Sequence, residues 1–467
     1  MSKYSLISLG SFFLLISFLL FLNIIYSYYF NFYLNINGYL PSMIVSLLVG
    51  VNLIIFRKKY IYNSIYWKIF IVLIGYLILP IVIALPYYFS IYNISILDSY
   101  FEAVSGFTST GFTIFESVKY IDPSLLIWRS TSQWIGGLYF LFSIIYLIDI
   151  FDENLKKSLT NFISFDSNEF LKQAFKILII YVFLTFLIFI FLKLINFRNF
   201  DAYNFSLTII SSGGFKPIDY LNPLLDNDIK VLIFSFTLLF SFFSIFLIYN
   251  LVFLKKRNLN FFTEDFYLLA FLISIIFLFF IFSGSENFTG FVFAITSSVS
   301  NIGIYFSKFD NNYSFVLLIL VIIGGSFFST SSGLRFFKIY TLLKFSFNEL
   351  LSHTKPRQVM INKVIFENKN INHKVINKYF LSIIIFILSL TTLSSLLTIQ
   401  GLELEHSFKL GILTIMNTVN SSIYGLEELV FQDFSKYIKI VLILFMIIGR
   451  IELVTILIII KKFLFKN

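Results

Sequence analysis

Four stretches of the chain end a short apolar run in glycine flanked by serine, threonine or asparagine: residues 100–113 (YFEAVSGFTSTGFT), 205–215 (FSLTIISSGGF), 291–304 (FVFAITSSVSNIGI) and 410–426 (LGILTIMNTVNSSIYGL). What these residues offer is oxygen: small hydroxyls, and backbone carbonyls that glycine lets turn in directions closed to other residues. Oxygens aimed at one axis replace the hydration shell of a cation. The absence of cysteine excludes disulfides, thiolate nucleophiles and zinc ribbons together, and His353, His373 and His406 alone argue against a histidine-built metal centre.

Those segments need a frame, and the composition places it in a bilayer. Of 467 residues 58% are apolar, 64 of them Phe, only 13% are charged, and the mean hydropathy is +0.88; soluble domains are about 45–50% apolar and about 25% charged. No Lys, Arg, Asp or Glu occurs from Tyr4 to Phe56, and only Asn35, Asn37, Gly38 and Pro41 interrupt the run. This predicts two spanning helices of roughly 20 residues joined by a turn. A signal peptide is the competing reading of the first, but the run outlasts an h-region of about 7–15 residues and lacks a small-residue cleavage site. Further apolar segments at 69–92, 125–148, 175–195, 231–254, 266–283, 315–334, 379–399 and 438–460 bring the expectation to ten crossings.

Lys and Arg cluster at 57–68, 156–176, 255–257, 335–378 and 461–466, which places both termini in the cytoplasm. Asp98, Asp122, Asp219, Asp226, Asp228, Glu427 and Glu428 then lie outside, an acidic vestibule that concentrates cations. The net charge of +10 is accounted for by retained cytoplasmic charge and does not point to nucleic acid.

Each oxygen-rich segment falls on the outer side between two crossings and is too short to span. A half-helix that enters the membrane and returns as extended chain survives only inside protein or along a watery cavity. Half-helix C-termini pointing inward favour positive charge there. For one segment alone a polar extracellular turn is the competing account; four in step with the crossings point to a ring around one pore.

The stretch FEAVSGFTSTG (101–111) followed by WRSTSQWIGG (128–137), then SSGGF (211–215), GGSFFSTSSGLR (324–335) and GRIE (449–452), resembles the Trk/Ktr/HKT superfamily of potassium-uptake membrane subunits in order and over essentially the whole chain. The additional N-terminal helix pair is similar to the TrkH-type branch. The resemblance implies an all-α polytopic membrane protein of four pseudo-symmetric helix/pore-loop/helix repeats around one pore. The N-terminal pair would occupy 1–64. Repeat 1 would be 65–155 (pore loop 98–113), repeat 2 156–258 (pore loop 201–216) and repeat 3 259–350 (pore loop 287–304). A basic cytoplasmic loop, 351–377, and repeat 4, 378–467 (pore loop 406–426), complete the chain.

By this resemblance a selectivity filter is expected at Ser109, Thr110 and Gly111; at Ser212, Gly213 and Gly214; and at Asn301, Ile302 and Gly303. In the fourth repeat Asn420, Ser421 and Ser422 are followed by Ile423, and the nearest glycine is Gly425, so either that loop is displaced by two residues or one filter wall carries Ile423. A gating loop is expected at 324–333, where Gly324, Gly325, Ser326, Ser329, Thr330, Ser331, Ser332 and Gly333 break an apolar helix; a small-residue packing face is the other reading. An arginine near mid-bilayer costs about 2.5–3.5 kcal/mol unless it meets a partner or a cavity, and the resemblance implies that Arg450 lies by the pore and touches that loop. A pair with Glu452 is the alternative, though two residues apart on a helix the side chains diverge. Glu102, Arg129 and Gln133 are expected as scaffold, Glu102 accepting bonds from filter-loop amides.

The implied function is potassium uptake, with transported K+ held at the filter residues, no cofactor, a homodimer in the cell (inner or plasma) membrane in contact with lipid, and a cytosolic nucleotide-binding regulatory ring of the TrkA/KtrA type as partner. The chain carries no phosphate loop or dinucleotide fingerprint of its own. Arg335, Lys338, Lys344, Lys355 and Arg357 are the expected docking surface, with ordinary positive-inside charge as the competing account. Two other functions were weighed: a sodium-permeable or weakly selective transporter, and a multi-pass enzyme of lipid-linked sugar chemistry, for which the spans hold too few titratable groups.

Overall fold

Long apolar runs become helices in a bilayer because every backbone N–H and C=O must be satisfied within its own segment. A computed structural model of the chain describes residues 4–55, 65–151, 170–252, 263–283, 288–306, 313–354, 363–364, 367–370, 373–426 and 429–451. Among them six helices are long and apolar enough to cross a membrane: Ile7–Tyr29, Ile36–Ile55, Tyr66–Tyr88, Ala174–Leu194, Thr263–Ile281 and Val375–Ile399. Thus the chain is a multi-pass membrane protein of helices, and its only strands among the described residues are two short pairs.

The remaining four expected crossings take other forms. Pro123–Phe151 is a helix of 29 residues whose first half carries Arg129, Ser130, Thr131, Ser132 and Gln133, all buried in protein. Lys436–Ile451 is the last described helix. The other two are interrupted. Ser314–Ile322 stops, and helix resumes at Phe336–Thr354 after a loop closed by a parallel bridge of Ile323–Gly324 with Leu334–Arg335. The segment expected to run unbroken over 231–254 is also split, into Asp228–Leu238 and Ile245–Val252. This second break is absent from the hydropathy pattern because its residues are still phenylalanine and serine. Its cause is tertiary: the carbonyls it frees are taken by the loop after Gly324, as described below.

Between crossings lie four half-helices, Ile96–Phe107, Asn199–Ile210, Phe288–Val299 and Leu404–Ile415, each of 12 residues. At 1.5 Å per residue each reaches about 18 Å, a little over half of the roughly 30 Å hydrocarbon layer. Their N-terminal turns carry Asp98, Asp201 and Glu405, which suit the positive end of the helix dipole. The neighbouring full-length helices approach them closely. Gly136 faces the backbone of Phe107, and Gly449 in the last repeat faces that of Ile415, the equivalent final residue of its half-helix. A Cβ at Gly136 would lie 2.9 Å from Phe107 Cα, and one at Gly449 2.9 Å from the Ile415 carbonyl carbon.

Because backbone cannot yield as a flexible side chain does, Gly136→Val should destabilise the protein by about 1–3 kcal/mol. Thermal unfolding in detergent is the check: the variant should melt several degrees below the parent, and so should Gly449→Val.

Candidate functional site

All four half-helices end in the same backbone turn. Ser109, Ser212, Asn301 and Asn417 adopt the left-handed conformation, with φ of 59°, 57°, 58° and 49°. Their N–H groups donate to the carbonyls of Gly106, Ile209, Ser298 and Thr414 at 2.9, 3.0, 3.1 and 3.3 Å. The following N–H groups, of Thr110, Gly213, Ile302 and Thr418, donate to Ser105, Thr208, Ser297 and Leu413 at 2.9, 2.8, 3.1 and 2.9 Å. This is the paired bonding of a Schellman helix end, repeated four times, and it turns the chain from half-helix into extended backbone at one depth.

Serine and asparagine hold the left-handed positions because their side chains tie neighbouring loops together. Ser212 Oγ donates to the Ser300 carbonyl, joining the second loop to the third. Asn301 Nδ2 donates to Thr418 Oγ1 at 3.2 Å, joining the third to the fourth, and to the Val321 carbonyl at 2.8 Å. Asn417 Nδ2 donates to Thr110 Oγ1 at 3.0 Å, joining the fourth to the first, and to the Met446 carbonyl at 2.9 Å. Between the first loop and the second the connection is different: the Arg450 guanidinium lies 3.5 Å from both Ser109 Oγ and the Ser211 carbonyl.

Two residues past each turn the four chains meet, at Gly111, Gly214, Gly303 and Val419. A Cβ on Gly111 would lie 2.9 Å from Gly214 Cα and 3.1 Å from Val419 Cβ; one on Gly303 would lie 2.8 Å from the Val419 carbonyl oxygen. The fourth wall is therefore Asn417, Thr418 and Val419, which corrects the expectation of Ser421, Ser422, Ile423 and Gly425. Those residues lie beyond the ring, with Ser422–Tyr424 in a single 3-10 turn closed by Gly425 at φ 65°. Aligning the repeats on glycine misplaced the fourth; the usable signal was Asn417, which stands at its turn as Asn301 does at the third. In the other three walls the structure brings the expected residues together.

The first loop is braced from behind. Glu102, fully buried, accepts from the Ile114 N–H at 2.9 Å, from Thr113 Oγ1 at 3.1 Å and from Arg129 Nε at 2.8 Å, while Arg129 also donates to Thr113 Oγ1 at 2.8 Å. Gln133 Oε1 accepts from the Phe215 N–H at 3.3 Å in the second loop, and the Arg129 guanidinium stacks 4.2 Å from the Phe215 ring. All three residues are scaffold, as expected. Near the outer surface Lys439 pairs with Asp98 at 2.6 Å, and Lys216 donates to the Asp219 carbonyl at 3.2 Å. Hydrogen bonds from Lys230 to Asp226 and from Lys409 to Glu405 hold both of those exposed carboxyls below the usual carboxylate range.

Against the ring sits the loop 324–333. Thr330 Oγ1 donates to the Ile210 carbonyl at 2.7 Å, the last residue of the second half-helix, and Arg450 Nη1 donates to Ser332 Oγ. Within the loop Gly325 N–H donates to Ser331 Oγ at 3.0 Å and Ser329 Oγ to the Ser326 carbonyl at 2.7 Å. Gly333 takes φ 81° against Gly324, whose backbone N is 2.8 Å from where its Cβ would be, so neither position has room for a side chain. Ser326, Ser329, Thr330, Ser331, Ser332 and Arg450 are all buried. The loop is thus in contact with the ring, not folded away from it.

Several participants were not foreseen. The loop bonds to the break in the second-repeat helix: Ser326 N–H to the Phe242 carbonyl at 3.0 Å, Ser331 N–H to Ser241 at 3.1 Å, and Ile245 N–H back to Phe328 at 3.2 Å. Two buried carboxylates opening the next helix hold both parts, Glu264 accepting from Phe327 N–H at 3.1 Å and Asp265 from Ser244 N–H at 3.0 Å. Acids at the start of an otherwise apolar run were the available signal. Arg335, expected on a docking surface, is instead buried and donates to the Ser326 and Ser331 carbonyls at 3.0 and 3.1 Å, and Lys338 is buried too. A backbone loop with unpaired carbonyls needs a fork of donors, which explains the burial of that arginine. Phe140 lies between the two guanidiniums, 4.0 Å from Arg450 and 5.0 Å from Arg335. Lys355, Arg357, Glu427, Glu428 and Glu452 lie outside the described residues.

This architecture has counterparts. The fold matches the crystal structure of the potassium transporter TrkH from Vibrio parahaemolyticus with a TM-score of 0.81, covering 98% of each chain at 21% identity. In sequence the chain is 26% identical over 391 residues to the Trk system potassium uptake protein TrkH of that organism, covering 78% of this chain and 79% of the relative. It is 23% identical over 384 residues to the protein of the same name from Halomonas elongata, covering 77% of each. In both sequence and fold the chain is similar to TrkH-type potassium uptake proteins. An uncharacterized cation transporter of Methanocaldococcus jannaschii is 23% identical over 419 residues, 84% of this chain and 82% of that one. No family model matches. Within this fold, the four-loop ring and the loop 324–333 against it are the parts that the sequence motifs of this chain build.

Removing one partner of a buried ion pair leaves the other charge stranded, at a cost of about 3–5 kcal/mol. Glu102→Ala should therefore fall sharply in melting temperature, and Glu102→Ala combined with Arg129→Met should recover a large part of the loss; a double variant no more stable than the single would show that the pair is not the brace.

Proposed function

We propose that the chain is the pore subunit of a Trk-type system, passing potassium into the cell through a filter formed by the four loops and gated by the loop 324–333. The observation that carries this is the fourfold helix end. Four half-helices direct their C-terminal, partially negative ends at one point, and the extended chain after each turn brings carbonyl oxygens around it. Ser109, Thr110, Gly111, Ser212, Gly213, Gly214, Asn301, Ile302 and Gly303 supply three walls, and Asn417, Thr418 and Val419 the fourth.

Beneath that ring, Arg450 with Arg335 puts two positive charges on the inner side while the loop is in place, so a cation leaving the filter inward meets repulsion as well as a plug. Movement of the loop removes Ser332 from Arg450 and Thr330 from Ile210 together. The protein is a transporter and not an enzyme, in keeping with its relatives. A homodimer in the cell membrane, with both termini cytoplasmic, and a cytosolic nucleotide-binding ring acting on the inner face complete the proposed assembly. Burial of Arg335 and Lys338 moves any docking surface away from them, toward Lys344 and the exposed later turns of the helix Phe336–Thr354.

The test is uptake of K+, Rb+ and Na+ into liposomes containing the purified chain. K+ and Rb+ should enter and Na+ should be excluded; equal Na+ flux would favour a weakly selective cation pathway instead. Arg450→Gln should raise Rb+ uptake by about tenfold, equivalent to ~1.4 kcal/mol in the barrier. Gly111→Ser, whose Cβ would press on Gly214 Cα, should lower it by at least as much and admit Na+.

A further inference from the structure

We propose that Val419 sets the rate of permeation: its isopropyl group, in the place where the other three walls have glycine, occupies the centre of the ring, and an ion passes only when that side chain turns aside. This inference rests on the potassium-uptake reading above and names a residue that controls it.

Three independent positions locate the side chain. Gly111, Gly214 and Gly303, which come from three different repeats, all border Val419: Cβ atoms built there would lie 3.1 Å from its Cβ, 2.8 Å from its Cγ1 and 2.9 Å from its Cγ1 respectively, the first also 2.9 Å from Gly214 Cα. A side chain that three walls face at once lies between them. Val419 is also half-buried, whereas Asn417 and Thr418 before it are fully buried. Its methyl groups therefore border the lumen rather than the packed protein behind the loop.

Chemistry makes this position matter. A cation shedding water at the ring regains oxygen from the glycine walls but only methyl contact from the Val419 side chain, and loss of hydration without replacement is costly. A narrow apolar constriction closes a pore to ions by excluding water. Backbone freedom is also unequal. Gly111 and Gly303 take φ of 83° and 72°, while Val419 is not in the left-handed region, which a β-branched residue occupies only under strain. The fourth carbonyl thus lacks the freedom to reorient that glycine gives.

The experiment is Rb+ uptake into liposomes by the full chain and by Val419→Gly, Val419→Ala and Val419→Ile, each checked for thermal unfolding in detergent. The expected order is Gly fastest, by about tenfold or more over the parent, then Ala, then the parent, with Ile slowest. Uptake by Val419→Gly equal to or below the parent, in protein that melts within a few degrees of it, overturns the proposal. Should the glycine variant not fold, Val419→Ala decides alone, since a mere packing wedge predicts that flux and melting temperature fall together. K+-dependent thermal stabilisation gives a readout that does not need flux, and it should increase in Val419→Gly and not with Na+. Silence of every folded variant toward K+, Rb+ and Na+ would remove the potassium-uptake reading and this proposal with it, whereas parental uptake that glycine fails to raise removes only the role of Val419.

Discussion

Unpaired backbone is the expense that organises this protein. Inside a bilayer a free N–H or C=O costs several kcal/mol, yet the chain interrupts two of its crossings and reverses direction four times at membrane depth. The interruptions answer one another. The break over 239–244 exposes the carbonyls of Ser241 and Phe242, and the loop 324–333 exposes the N–H groups of Ser326 and Ser331 that bind them. What neither break can supply to the other comes from buried side chains, Glu264 and Asp265 as acceptors and Arg335 as donor. The reversals answer to themselves, through the paired bonds of the helix ends.

The charges follow from that backbone. Glu102 and Arg129 are buried together, and both bond to the loop they stiffen. Arg335 and Arg450 sit differently: both lie over the ring of Phe140, and Arg335 donates to carbonyls of the loop while Arg450 donates to its Ser332 hydroxyl. A guanidinium is a workable buried cation where carbonyls and an aromatic face surround it, because its five donors and flat surface use both. Arg450 also lies 3.5 Å from the Ser211 carbonyl at the end of the second half-helix, where the helix dipole is negative.

Much of this was legible in the sequence because bilayers are strict. Uncharged runs of fixed length gave the crossings, and hydroxyl-rich glycine segments too short to span gave three of the four walls. Legibility ended where position depends on what lies opposite. The second-repeat helix breaks at residues as apolar as those around them, since the partner that draws it open is nearly a hundred residues away. The fourth wall carries no glycine; the conformation that repeats is the left-handed turn, which asparagine serves as well. Arg335 looked like one more cytoplasmic charge; only the folded loop shows that its fork is spent on carbonyls.

The ties among the four loops are not equivalent. Ser212, Asn301 and Asn417 each fasten their own loop to the next through side chains fixed on rigid helix ends. The seam between the first and second loops is fastened by Arg450, which also holds Ser332. A collar with three rivets and one latch can be sprung at a single place. Drawing the loop 324–333 away loads that latch, so the fit of the four-loop ring and the position of the loop beside it are mechanically one variable, and the quarter of the ring between Ser109 and Ser211 is where it gives.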